Sequence, residues 1–385
     1  MMDRGRVVII GAGILGQSHA LTALEAGWSV TLLERDGRPV GASVRNFGTI
    51  WPIGCTFGPE REQALYGARR WQEFAAHGSF WLKRSGSLSL AYREEAWAVL
   101  REFKGAGSIC EGFELLEPSE VAKNFPAANT HGLRGALHSS AEMVVHPSSA
   151  IAALARLVQE RGGAVFFGLP VVKVHENAVE TSDGRRFEFD QLVIAAGDEM
   201  RMFFPEEMAA ARLTRCRLQI MRTVPQPGSF DLKATLVSDL TLCHYPAFRE
   251  CPSTSKLRER LEAELPQYRE WGVHVIAAQH ADRSIVLGDS HEYGADFAPE
   301  NRSDVDELIL EALQKFVRIT DLRIAARWQG VYLKSTAGQT QVVLRPRKGV
   351  TMVTAMGGLG MTLSWGLARE TVESWSYTPH SVDQI

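Results

Sequence analysis

The stretch from Val7 to Glu34 constrains this chain more than any other. A short apolar strand, Val7-Val8-Ile9-Ile10, runs into Gly11-Ala12-Gly13-Ile14-Leu15-Gly16, and a second strand, Val30-Thr31-Leu32-Leu33, ends on the acid Glu34. Gly11 permits the tight turn out of the first strand, Gly13 lets backbone approach a pyrophosphate, and Gly16 lets the following helix pack on the sheet. The helix start offers N–H groups and the positive end of its dipole to phosphate. A carboxylate about twenty residues further on accepts hydrogen bonds from a ribose diol. The unit reads as a dinucleotide-binding βαβ element, and on these residues alone the dinucleotide is NAD or FAD.

At 385 residues the chain has room for two domains with sizeable cores. A net charge of −3 gives no broad attraction to nucleic acid. The cysteines Cys55, Cys110, Cys216, Cys243 and Cys251 are odd in number and lack C-x-x-C spacing, which argues against a disulfide framework and for a reducing, cytoplasmic setting. The histidines lack the paired spacing and thiolate partners of a zinc site, so no metal is expected. No run of about twenty apolar residues suggests a membrane span. The apolar run near the N-terminus is already the first strand, not a signal peptide.

Periodicity predicts helices over Glu60–His77, with Leu65, Ala68, Trp71 and Phe74 inward, over Pro147–Glu160, and over Asp304–Phe316. His146 is expected at the start of the second of these. Strands are expected at Ser87–Ala91, Ala164–Phe167, Val171–His175 and Phe187–Phe189. Leu192-Val193-Ile194-Ala195-Ala196-Gly197 is a fully apolar strand of the kind buried in a parallel sheet. Phe248 to Arg269 is rich in charge and proline and predicts a helix or a lid. Near the end, the strand Gly349–Ala355 enters a second glycine turn, Gly357-Gly358-Leu359-Gly360-Met361-Thr362, followed by a helix. The N-terminal unit, the strand before Gly197 and this last unit must meet to complete one sheet. The expected fold is α/β: a discontinuous Rossmann-like cofactor domain (1–85, 145–215 and 325–385) with an inserted α+β substrate domain on a mixed sheet (86–144 and 216–324).

With the fingerprint ending Glu34-Arg35, the loop Gly41-Ala42-Ser43-Val44-Arg45-Asn46-Phe47-Gly48, the strand to Gly197 and the turn Gly357–Thr362, the chain resembles the glycine oxidase, sarcosine oxidase and D-amino-acid oxidase superfamily of FAD-dependent amine oxidoreductases. The resemblance covers nearly the whole chain and implies FAD. It implies that Gly358, Leu359, Gly360, Met361 and Thr362 lie by the pyrimidine end of the flavin, where oriented donors stabilise developing negative charge. It also implies that Ser43, Arg45, Asn46 and Phe47 cover the pyrophosphate and ring edge, that Val171 lies against adenine, and that Ala196 and Gly197 belong to the same site. The segment Trp328–Tyr332, where sarcosine oxidases carry their flavin-linking cysteine, has none here, so the FAD is expected to be non-covalent. Tyr332 and Thr362 stand where relatives place an arginine or a lysine for a substrate carboxylate.

A phosphonate-associated branch of the superfamily is a closer resemblance, through Arg45–Gly54, His244-Tyr245 near Phe248, and Gly288-Asp289-Ser290-His291-Glu292-Tyr293. It implies oxidation of an aminophosphonate related to 2-aminoethylphosphonate, by hydride transfer to flavin N5 and imine hydrolysis, with dioxygen or another acceptor restoring the flavin. A phosphonate carries three acceptor oxygens and suits Arg, Lys, His, Ser and Tyr donors. Trp51, Tyr245, His291 and Tyr332 are the expected pocket residues, with Arg217 and Lys334 as further anion donors. Oxidation of glycine, sarcosine or a D-amino acid is the alternative; a flavin monooxygenase and a non-catalytic flavin-binding protein are two more.

Overall fold

The computed structural model describes residues 4–77, 80–107 and 112–375. Cys110 lies outside them, and the four described cysteines are unpaired. Three distant pieces of chain do form one sheet. Its six strands run in the order Val342–Arg347, Val350–Thr354, Gln191–Ile194, Arg6–Ile10, Ser29–Leu33 and Ala164–Phe166. All neighbours are parallel except the edge hairpin Val342–Arg347 with Val350–Thr354. Ile9, Leu32 and Val193 are fully buried, as strands covered on both faces demand.

The helix Ile14–Glu25 is buried almost all round, Gln17, Ser18 and His19 included, because the C-terminal helix Gly360–Trp375 packs over it. The helix Pro59–Ala76 packs on that C-terminal helix in turn, and Trp71 Nε1 donates to the Met361 carbonyl at 2.6 Å. The second glycine turn is thus held from two sides by helices that belong to other parts of the sequence.

A nine-stranded mixed sheet makes the second layer. It runs Glu292–Gly294, Leu213–Thr223, Ile285–Gly288, Ile276–Gln279, Thr235–Val237, Ser87–Ala91, Gly135–Ser139 and Phe113–Leu116, with Ile324–Ser335 paired to Leu213–Thr223. The border expected near residue 325 therefore coincides with the start of a strand that this second sheet holds. The architecture is α/β, a Rossmann-type sheet joined to a mixed sheet.

The expected helices form at Pro59–Ala76, Pro147–Glu160 and Ser303–Phe316. His146 caps the second, its Nδ1 accepting from Ser149 N at 3.4 Å. The charged stretch after Phe248 folds as helices Thr254–Glu264 and Pro266–Glu270. The first is tied to the helix Glu94–Ala106 and its cap by Arg260–Glu95 at 2.7 Å and Arg93–Glu264 at 2.6 Å. The stretch is thus helical, as one of the two expectations had it, and no described residue of 248–269 lines the cavity below. The short strand Ala178–Thr181 was not anticipated; four residues of mixed polarity carry no period.

Candidate functional site: a cofactor groove ending in a histidine cluster

One cavity runs along the carboxyl ends of the parallel strands, where open α/β sheets bind ligands. Ile10, Leu33 and Ala195 line it from three of those strands. Gly11 turns the first strand out at φ +100°, and a Cβ on Gly16 would stand 1.8 Å from the Gly11 carbonyl oxygen, so no side chain fits between turn and helix. Glu34 is buried and holds the turn: its carboxylate accepts from Ala12 N at 2.8 Å and from Asp36 N at 3.1 Å.

The loop 41–48 folds over the start of the first helix. Ser43 Oγ accepts from Ile14 N at 2.9 Å, so a distant loop caps that helix. Asn46 shapes the loop, donating to the carbonyls of Ala42 at 2.9 Å and Ser43 at 3.0 Å while accepting from Gly48 N at 2.8 Å. Arg45 reaches the Gln329 carbonyl at 3.3 Å, and the Arg45 carbonyl accepts from Trp328 Nε1 at 3.3 Å. Opposite, the turn 356–362 completes the wall, and Arg35 pairs with Glu199 across the outer end at 3.5 Å.

An elongated dinucleotide fits this groove. Its floor is lined by Gly11, Gly13, Gly358 and Gly360, and a Cβ on Gly13 would come within 2.9 Å of Ser43 Oγ, closing the channel that bare backbone leaves. Glu34 and Val171 mark one end; the turn Gly358–Thr362 marks the other. Among the described residues no cysteine lines it.

Beyond that turn lies an aromatic and histidine-rich chamber. Trp51 and Tyr245 pack at a ring distance of 6.1 Å, both buried. The Tyr332 hydroxyl points at the glycine turn, 3.5 Å from where a Cβ on Gly358 would stand. His244, His274 and His291 complete the chamber, one ring nitrogen of each lying within 4.8 Å of the others. His244 follows the short helix Asp239–Leu242. His274 leads into the strand Ile276–Gln279, and His291 sits between the two strands that follow. Reciprocal backbone bonds between His274 and Asp289, at 3.1 and 2.8 Å, bring Asp289 against the cluster. Its carboxylate lies 3.1 Å from His274 Nε2 and 4.0 Å from His291 Nε2.

Burial dominates the electrostatics here. It pushes His244 and His274 well below the ordinary imidazole range and His291 down to about 3, helped by the charge of Lys334. Burial holds the Asp289 carboxyl well above its usual range and the Tyr332 phenol likewise. The Lys334 amine, also lowered by burial, donates to the Tyr293 hydroxyl at 2.9 Å. At neutral pH the chamber holds neutral imidazoles, under the charge of Lys334.

Eighteen of the expected cofactor residues line one cavity: Gly11, Gly13, Ile14, Leu15, Glu34, Arg35, Ser43, Arg45, Asn46, Phe47, Val171, Ala196, Gly197 and Gly358 to Thr362. Ala12 and Gly16 do not, being packed inside the turn. Trp51, Tyr245, His291 and Tyr332 meet at the far end. Arg217 does not join them. Strand alternation sends its neighbour Leu218 to the cavity and Arg217 to the other face, where it pairs with Glu292 and stacks on Phe297. Lys334 does not line the cavity either; its amine donates to the Tyr293 hydroxyl while its charge reaches the histidines. The expectation of no metal rested on histidine spacing; the fold supplies proximity that spacing lacks, though no ligand is implied by proximity alone. His274 and Asp289 were missed as site residues, and His244 was noticed only as a neighbour of Tyr245.

A two-ended groove of this kind, on a Rossmann-type sheet with a second glycine turn, defines a dinucleotide-dependent oxidoreductase. The chain belongs to the DAO family, described as FAD dependent oxidoreductase, whose model matches residues 6–374. FAD is therefore its cofactor. Its fold is similar to glycine oxidase from Geobacillus kaustophilus (TM-score 0.76, 17% identity, 97% of this chain and 96% of that one). It is also similar to FAD-bound L-alpha-glycerophosphate oxidase from Mycoplasma pneumoniae (TM-score 0.74, 17% identity, 96% and 95%). In sequence it is 29% identical over 280 residues to the tRNA 5-methylaminomethyl-2-thiouridine biosynthesis bifunctional protein MnmC of Aeromonas hydrophila, covering 68% of this chain and 40% of that protein. The chain spans less than half the length of the curated relatives it matches. Among the described residues no helix is long and apolar enough to cross a membrane.

Proposed function

We propose that this protein oxidises the C–N bond of a small amine, and that its substrate is an aminophosphonate related to 2-aminoethylphosphonate, hydroxylated or N-methylated. The observation that carries the reading is the chamber beyond the glycine turn. It joins hydroxyl and imidazole groups within reach of the Lys334 charge, and the one arginine expected near it, Arg217, is paired away on the opposite face. A planar carboxylate is met best by the fork of an arginine, whereas a phosphonate takes three separate donors.

Bound FAD supplies a two-electron acceptor, the chemistry that no side chain can provide. The chain's own part is binding and protonation. Trp51 and Tyr245 wall the chamber, and the same burial that lowers the basicity of His244, His274, His291 and Lys334 favours the neutral amine that oxidation requires. Tyr332 offers a hydroxyl between the glycine turn and the histidines. The absence of a cysteine along the described groove supports FAD held without a covalent bond. Dioxygen or another acceptor completes the cycle. We assign the cofactor part to 1–85, 145–215 and 336–385 and the substrate part to 86–144 and 216–335, the strand 325–335 moving to the latter because it pairs in that sheet.

The test is anaerobic mixing of the yellow holoenzyme with 2-aminoethylphosphonate, its N-methyl and 1-hydroxy derivatives, glycine, sarcosine and D-alanine. Bleaching of the flavin by the aminophosphonates is expected. Bleaching by the carboxylates alone would remove the phosphonate and leave an amino-acid oxidoreductase.

A further inference from the structure

The histidine chamber holds more than the amine chemistry needs. Three imidazoles are brought together from three segments, and His274 is 3% exposed, its Nδ1 without a hydrogen bond and its Nε2 facing only the Asp289 carboxylate at 3.1 Å, out of hydrogen-bond alignment. Buried polar groups of this kind are normally partnered. The rings face one another: His244 and His274 stack at 3.9 Å and 29°, His274 and His291 at 5.1 Å and 15°. An imidazole lone pair lies in the ring plane, so three ligands of one metal ion must turn their planes toward a common centre. Near-parallel rings instead present their nitrogens side by side. That suits a ligand with several oxygens, each taking one donor, as a tetrahedral oxyanion does.

The surrounding charges agree. Lys334 acts on all three imidazoles, and Arg249, which donates to the His244 carbonyl, adds a second positive charge beside His244. Tyr245 and Tyr332 line the chamber as neutral phenols, and burial keeps the Cys216 thiol neutral, pushed up to about 12. Among the described residues, Asp289 is the acid that lies against the cluster, and burial drives it toward its neutral form.

We propose that His244, His274 and His291 seat the doubly charged tetrahedral head of the substrate, and that the head binds together with a proton taken up by this cluster. The inference rests on the reading of the cavity as an amine-oxidation site. A buried dianion reverses the balance that keeps these imidazoles neutral, so the complex holds a proton that the free site lacks. Each such proton makes binding about tenfold tighter per pH unit of acidification, over the range where the free cluster is neutral.

The holoenzyme is titrated calorimetrically with sulfate, a tetrahedral dianion throughout pH 6.5–8.5, in two buffers of different ionisation enthalpy. About one proton is taken up per sulfate, and affinity falls about tenfold per pH unit as pH rises. Ethylphosphonate binds at least tenfold tighter than propionate. His274→Gln loses the proton uptake while its flavin spectrum is unchanged; the wild-type proton count decides the matter even if that variant does not fold. Absence of sulfate binding, binding without proton uptake, or equal affinity for propionate overturns the proposal. So does binding of one Zn²⁺ per chain that excludes sulfate, which would make the cluster a metal site. If simple amines still bleach the flavin in any of those cases, the amine-oxidation reading survives alone; a protein that cannot retain FAD loses both.

Discussion

The backbone N–H of Trp51 donates to the hydroxyl of Thr362 at 2.9 Å, joining residues 311 positions apart. Both are buried, so this bond fastens the aromatic wall of the chamber to the first turn of the C-terminal helix. Thr362→Val keeps the shape and removes the acceptor, leaving a buried N–H unpaired at a cost of about 1–3 kcal/mol. The thermal midpoint of the holoenzyme falls for Thr362→Val and recovers for Thr362→Ser. Equal midpoints for valine and wild type would show that the bond is not made.

Glu34 has two duties in this fold. Besides its expected place at the ribose, it satisfies the N–H groups of Ala12 and Asp36. Glu34→Ala strips the turn of that charged acceptor, and hydrogen bonds to charged groups are worth about 1.5–3 kcal/mol. FAD affinity drops at least tenfold, read as flavin lost on dialysis and regained at high added FAD.

Gly54 lies where a Cβ would come within 2.7 Å of the Tyr245 ring and 2.8 Å of the Trp51 ring. Gly54→Ala therefore forces the aromatic pair apart, an overpacking cost of about 1–3 kcal/mol. Bound FAD is retained, because Gly54 lines no part of the groove. The Michaelis constant for the amine rises several-fold, and tryptophan emission changes. An unaltered Michaelis constant would remove the Trp51–Tyr245 wall from substrate binding.

These contacts show what a sequence can and cannot disclose. The unit from Val7 to Glu34 and the helix Pro147–Glu160 are local, written as a glycine spacing and a period of apolar residues, and the fold reproduces both. The histidine cluster is written nowhere locally. His274 meets Asp289 only because two strands pair in one register, and His244 arrives from a separate connection. Arg217 illustrates the remaining ambiguity. Its strand alternates faces, and nothing before the sheet is assembled says whether Arg217 or Leu218 looks into the cavity.

His19 makes the protein sensitive to acid from inside its first helix. Burial pushes this imidazole down to about 4, although its ring nitrogen at 2.6 Å from the Leu15 carbonyl partly opposes the shift. The unfolded chain, with an ordinary value near 6.5, binds a proton between those limits that the folded chain does not. Stability from the buried neutral ring is thus complete above pH 6.5 and is lost as pH falls toward 4, at up to about 1.4 kcal/mol per unit. His19→Gln flattens that slope in urea unfolding measured at pH 7, 6 and 5. An identical slope in the variant would assign the acid sensitivity to other groups.

Tyr332 is the side chain best placed to link cofactor and substrate. Its hydroxyl faces the turn at Gly358, and the Cys216 thiol is its register partner on the neighbouring strand. Burial keeps the phenol protonated at any working pH, so it acts as a fixed donor and not as a base. Tyr332→Phe preserves the ring and removes only that donor. Flavin content and spectrum stay as in wild type, while kcat/KM for the amine falls about tenfold, as expected for one hydrogen bond worth about 1.4 kcal/mol. Cys216→Ala, which removes the thiol and leaves the hydroxyl, is the control and changes kcat/KM by less. If the phenylalanine variant instead loses FAD, the hydroxyl serves the cofactor turn; if it behaves as wild type, Tyr332 contributes only an apolar wall.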